Sequence, residues 1–172
     1  IAVLLLSTII LFFRAPYEFI IPQLWAEDGN VFLSEARTLG LSSIITPYAG
    51  YLHVLPRFFA LVAQLFPLEY VPRIFFVASL SVTLFVCFVL SATPWLPTKL
   101  KIAFPLAIVF SPHNGEVFLT LTNIHWICAL LIPFIAFGTA NHSTQHLLRS
   151  VLLLVFIGLS DPFIIIFYPL FV

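Results

Sequence analysis

Two adjacent carboxylates, Glu27 and Asp28, stand in a short polar island, Trp25-Ala26-Glu27-Asp28-Gly29, beside long apolar runs. The chain around them is 62% hydrophobic and only 8% charged, against roughly a quarter charged in a soluble domain. Carboxylates at the edge of a membrane protein are costly to desolvate, which makes them candidates for function. Such a group can take the proton of an attacking hydroxyl or amine. Repulsion between neighbours raises the proton affinity of one of the pair. Asp28 is the first candidate base and Glu27 the second. A structural part for Asp28 is equally open: its oxygen can cap the N–H groups of a helix that begins after Gly29.

Three possible cations follow, His53, Arg57 and Arg73. A guanidinium binds phosphate oxygens in pairs and stabilises charge on a departing phosphate. The same side chains can instead snorkel to lipid headgroups, and His53 can be an interfacial histidine. A second polar group lies in Ser111-Pro112-His113-Asn114-Gly115-Glu116 and Thr122-Asn123-Ile124-His125-Trp126. Polar residues entering an apolar run face a cavity or a neighbouring helix. Glu116, Asn123 and His125 are therefore candidate substrate contacts. His113, Glu116 and His125 lack the spacing of a metal site. No motif calls for a cofactor; a divalent ion is compatible but not indicated. Asp161, in the break Gly158-Leu159-Ser160-Asp161-Pro162, is a further acid that can reach the same region. Cys87 and Cys128 sit inside apolar runs and read as buried thiols. Seven basic and seven acidic residues cancel, so no field draws in nucleic acid.

The elements that must hold these residues follow from length. A spanning helix takes about 20 apolar residues. Residues 1–13 read as the end of one span, and 69–92, 100–111, 119–138 and 147–172 as further membrane segments. Residues 14–68 are too polar, and too rich in proline and glycine, to cross lipid. Within them, 30–39 suits an amphipathic helix with Phe32, Ala36 and Leu39 on one side, Leu33 beside them, and Gly40 as its stop. Residues 52–66 are helical in pattern, with Pro56 near the start. At about 22 Å they fall short of the roughly 30 Å hydrocarbon core. Trp25, Trp95 and Trp126 suit the interface. Both ends of the chain fall in apolar runs, which is the expectation for a piece of a larger membrane protein.

The positive-inside rule then selects a topology. If 52–66 lies along the membrane, Lys99, Lys101 and Arg149 share the cytoplasmic side. The islands at 14–68, 111–123 and 158–162 then gather on the outer face. The pattern Asn141-His142-Ser143 would be cytoplasmic, and so not a glycosylation site. If 52–66 crosses, Glu27 and Asp28 face away from the 113–123 region.

In order and spacing, the stretch from Trp25 to Leu80 resembles the first extracytoplasmic loop of GT-C superfamily glycosyltransferases, which include aminoarabinose transferases and protein O-mannosyltransferases. The matching elements are Glu27-Asp28, Glu35-Ala36-Arg37, Thr46-Pro47, Gly50, His53-Val54-Leu55-Pro56-Arg57 and Arg73. The acidic pair is reversed relative to the commoner Asp-Glu, and a double proline is reduced to Pro56. The resemblance implies an all-α, polytopic transmembrane helix bundle with interfacial helices in its first outer loop. It implies transfer of a sugar from a polyprenyl-phosphate donor to a glycan, lipid or protein acceptor, at the extracytoplasmic face of a bacterial inner membrane. Asp28 or Glu27 would be the base, and His53, Arg57 and Arg73 would hold phosphate. The alternative is a transporter or lipid-glycan flippase that uses the same charges as a path. Such proteins place charges on broken helices at mid-membrane depth.

Overall fold

A computed structural model describes residues 1–112, 116–138 and 144–171. Among them the chain is all helical, and its only bridge pairs Tyr48 with Tyr51. In the described residues ten α-helices run in order: α1 (Ala2–Arg14), α2 (Pro16–Ile20), α3 (Ser34–Leu39), α4 (Val54–Ala63), α5 (Val71–Ala92), α6 (Thr98–Phe110), α7 (Ile124–Ala129), α8 (Leu131–Gly138), α9 (Thr144–Ser160) and α10 (Phe163–Phe167). His113, the 141–143 pattern and the Arg149 side chain lie outside the described residues.

Among the described residues one element is long and apolar enough to cross a membrane, α5 with the 3₁₀ turn before it, Leu68–Ala92, 25 residues. Pro72 near its start has no N–H to leave unpaired there. Its buried face includes Phe75, Ser79, Thr83, Val86 and Leu90, spaced as one helix side. Ser79 Oγ donates to the Phe76 carbonyl and Thr83 Oγ1 to the Ser79 carbonyl, so both hydroxyls are satisfied within the helix. The helices α1 and α6 pack on α5. Phe19 of α2 meets Phe76 edge to face at 4.9 Å and ties the first loop to this core.

The shorter elements differ in detail from what hydropathy suggests. The segment 119–138 becomes α-helical only at Ile124, and its two helices meet at Leu130. The segment 147–172 breaks at Asp161-Pro162 into α9 and α10, because proline lacks the N–H and crowds the preceding turn. The amphipathic stretch 30–39 is a π-helical turn, Asp28–Leu33, running into α3. Phe32, Leu33 and Ala36 are buried there, whereas Leu39 is exposed. Gly40 ends it at φ 59°, a conformation open to glycine. Residues 52–66 yield α4, 10 residues long, or about 15 Å. That is half a hydrocarbon core, so α4 cannot cross by itself.

Candidate functional site

Asp28 begins the π-helical turn and is 1% exposed. It is not the N-cap that its position suggests. Its carboxylate turns away from the following helix and accepts from elsewhere. Oδ1 takes the Thr122 N–H at 2.9 Å and the Thr122 hydroxyl at 2.8 Å. Oδ2 takes the Trp25 N–H at 3.2 Å. Burial pushes Asp28 up to about 6, and the Thr122 and Trp25 donors, with the Leu121 N–H, limit the rise. Glu27 is half-buried, and its side chain makes no hydrogen bond or ion pair with the described residues.

From Thr122 the polar contacts continue inward. The Thr122 carbonyl lies 2.9 Å from His125 Nδ1. A carbonyl can only accept, so Nδ1 carries the proton and Nε2 is left as an acceptor. Nε2 faces the Tyr51 hydroxyl at 3.4 Å, and Tyr51 donates. Tyr51 stacks on His53, with ring centroids 3.7 Å apart. The hairpin-like turn that presents it has Ala49 at φ 50° and Gly50 at φ 93°, the paired positive values of a type I′ turn. Tyr48 and Tyr51 exchange both backbone hydrogen bonds across it. His53 itself sits at φ 53° and is 2% exposed. Left-handed backbone at a histidine is held only by its surroundings, here Tyr51, Tyr48 and Phe32. Burial pushes His53 down to about 4; the Tyr51 carbonyl opposes the fall and the Arg57 charge adds to it. At neutral pH it is uncharged, so any part it plays with phosphate is as a hydrogen-bond partner rather than a cation.

Arg57 lies one turn further on, in α4. It is fully buried; Nε donates to the Leu52 carbonyl at 2.8 Å, and Nη1 is ion-paired with Glu35. Its guanidinium lies 5.3 Å from the Phe32 ring centre, a cation–π contact. Nη2 is buried with no partner. Asp161 has a matching defect. It is 0% exposed; Oδ1 accepts from the Phe163 N–H at 2.7 Å, and Oδ2 has no partner. Its neighbour Ser160 accepts the Leu55 N–H at 3.0 Å, so the end of α9 is pinned to the first turn of α4. Burial and then the Asp161 charge push the Tyr51 phenol above its ordinary value.

These contacts join the three polar islands. Residues 25–28 touch Thr122, Tyr51 touches His125, and Leu55 touches Ser160. The ends of α1 and α6 also meet: Arg14 Nη1 donates to the Val109 carbonyl, and its guanidinium lies 5.7 Å from the Phe118 ring centre. Asp28, His53, Arg57 and His125 thus belong to one buried network. Glu116 and Asn123 border it. Asn123 Nδ2 donates to the Glu116 carbonyl at 2.9 Å and braces the loop, while the Glu116 carboxylate is exposed. Arg73 is exposed and lines a separate groove with Glu69 and Tyr70. No group of three or more His, Cys, Asp or Glu residues suited to a metal occurs among the described residues. Cys87 and Cys128 are buried free thiols.

Sequence reasoning missed Tyr51, the pairing of Glu35 with Arg57, and the weight of Thr122. The tyrosines flanking Ala49-Gly50 were the available signal for Tyr51. The Glu35 pairing spans 22 residues and has no local signature.

An apolar cavity of about 630 Å³ adjoins the network, bounded by Leu90, Phe104, Ser111, Trp126, Leu130 and Phe134. Trp126 forms part of its wall, and its ring lies 6.2 Å from His125. No protein-family model, curated protein or solved structure matches the chain.

Proposed function

We propose that this chain is part of a polytopic membrane glycosyltransferase of the GT-C kind. It moves a sugar from a polyprenyl-phosphate donor to a glycan, lipid or protein acceptor on the extracytoplasmic side of a bacterial inner membrane. The observation that carries this reading is the meeting of two unlike spaces at His125 and Trp126: a buried charged network on one side, an apolar cavity on the other. A lipid phosphate has the same two parts. The isoprenoid tail fits the cavity, whose volume falls within the roughly 300–1,000 Å³ of small-molecule sites.

In the transfer, the acceptor hydroxyl attacks the sugar carbon bonded to the donor phosphate. Its proton passes to Asp28. Oδ1 already has two short donors, so Oδ2, with its longer contact to Trp25, is the atom that takes it. A carboxyl raised to about 6 is ionised at neutral pH yet basic enough to help. Glu27, free of partners beside it, orients the acceptor. The bond from sugar to phosphate oxygen breaks, and Arg57 Nη2 stabilises the leaving phosphate. Arg73, in its own groove, holds lipid headgroups.

The second reading is a transporter or flippase. One observation favours it: Asp161 is a buried acid at a helix break with an unpaired oxygen. Sugar transfer by membranes carrying Asp28→Asn separates the two. Glycosyl transfer predicts a loss of at least about 100-fold in turnover, the usual scale for a general base, with normal expression and folding. Unchanged turnover removes Asp28 from the chemistry.

A further inference from the structure

A groove of about 400 Å³ lies where the first loop meets the head of α5. Ile20, Ile21 and Pro22 line it from the loop, and Glu69, Tyr70 and Arg73 from the start of the helix. Both sides are braced. The Ile21 N–H donates to the Tyr17 carbonyl at 2.8 Å and the Tyr70 N–H to the Pro67 carbonyl at 3.0 Å, while Phe19 against Phe76 holds the loop to α5. Glu69 and Arg73 are exposed and of opposite charge. Among the described residues neither side chain has a hydrogen-bond or ion-pair partner, and they do not pair with each other. Ile20, Ile21 and Leu68 beside them are more than half exposed, a cluster of apolar surface that calls for a lipid or protein cover. Beyond Arg73 the same side of α5 stays open and apolar. Val77 and Phe88 are each 51% exposed, with half-buried Leu84 between them at helical spacing.

The order of these groups along the helix points to the ligand. Glu69 comes first, Arg73 follows about 6 Å deeper at the helical rise, and the open apolar face comes after that. A phospholipid with a primary amine carries its parts in the same order: ammonium outermost, phosphate beneath it, then acyl chains. We propose that this groove binds a zwitterionic aminophospholipid of the phosphatidylethanolamine class, taken from the leaflet at the head of α5. Glu69 accepts from the ammonium, Arg73 donates to the phosphate oxygens, and the acyl chains lie along Ile20, Ile21 and Val77. Charge selects this lipid over its relatives. An anionic headgroup without an amine leaves Glu69 facing negative charge. A choline has no N–H for the carboxylate, and one tyrosine is not the aromatic cage that takes a quaternary ammonium. The inference rests on the membrane placement of α5 in the reading above, and not on sugar transfer. It names the headgroup that Arg73 holds and gives Glu69 its part.

The test titrates the full chain in detergent micelles with didecanoyl phosphatidylethanolamine, phosphatidylcholine and phosphatidylglycerol, and reads bound lipid by native mass spectrometry. The wild type is expected to bind the ethanolamine lipid about 5-fold more tightly than either of the others, the upper scale of an exposed ion pair. Glu69→Ala removes the acceptor and the charge, and brings the three lipids within about 2-fold of one another. Arg73→Gln weakens all three together. Both side chains are exposed, so thermal unfolding without added lipid is expected to match the wild type. Equal wild-type affinity for the three lipids, a preference for choline or glycerol, or an ethanolamine preference that survives Glu69→Ala overturns the inference. Each of those results leaves the sugar-transfer reading standing. Failure to bind any of the three, by a chain that stays soluble without detergent, overturns the membrane placement and the inference with it.

Discussion

Asp28 and Asp161 are both buried acids in a chain that has few, and their surroundings differ sharply. Asp28 accepts three hydrogen bonds, two of them from Thr122, far away in the chain. Asp161 accepts one, from Phe163 two residues on, and keeps an oxygen without a partner. The first is a latch that fastens the 25–28 loop to the start of α7. The second leaves a vacancy, an acceptor without a partner, just as Arg57 Nη2 is a donor without one. The Thr122 bonds of Asp28 join segments 94 residues apart, whereas the bond of Asp161 is local.

The largest effect that would break this comparison is on stability. Asp28→Ala strands the Trp25 N–H and the Thr122 N–H and hydroxyl in a buried site. A loss of about 2–4 kcal/mol is expected, from unsatisfied groups at about 1–3 kcal/mol each, offset by relief of the buried charge. Asp161→Ala removes one local bond and one defect, so its change stays within about 1 kcal/mol. Equal losses in chemical unfolding of detergent-solubilised protein would erase the distinction between latch and vacancy.

A smaller effect sharpens it through pH. Asp28 is raised to about 6, so the folded state holds its proton more tightly than the unfolded chain, whose carboxyl lies near 3.9. The contribution of Asp28 to stability is therefore greatest below the unfolded value and declines as pH rises through about 6. Under the proposed transferase reading catalysis runs the other way, because a base must be ionised: turnover is expected to fall as pH drops below about 6. Thr122→Val removes the hydroxyl donor that favours the carboxylate and should move this acid limb to higher pH, with about a 5-fold loss of turnover at pH 6 for a shift of about one unit. An unmoved limb would show that another group sets it.

Much of the architecture was legible in the sequence. The long apolar α5 follows from unbroken apolar length, the stop at Gly40 from glycine, and the break at 161–162 from proline. Asp28 was legible as a rare acid beside apolar runs, but its partner was not. A hydrogen bond across 94 residues leaves no periodic trace. The same holds for Glu35 with Arg57 and for Tyr51 with His125. His53 was legible as a titratable residue. Its lack of charge was not, since that depends on how Tyr51, Tyr48 and Phe32 close around it. Arg73 shared a motif order with Arg57, but order along a chain does not make two side chains neighbours, and the fold puts Arg73 in another groove.

The central claim is geometric: the first loop and the start of α7 belong to one outer compartment, with α4 too short to separate them. Single cysteines at Glu27, Glu116 and Lys99 test it in intact cells with a membrane-impermeant maleimide, because the native Cys87 and Cys128 are buried. The account predicts that positions 27 and 116 label from outside and that position 99 labels only after lysis. Labelling of 27 and 116 from opposite sides of the membrane would contradict it.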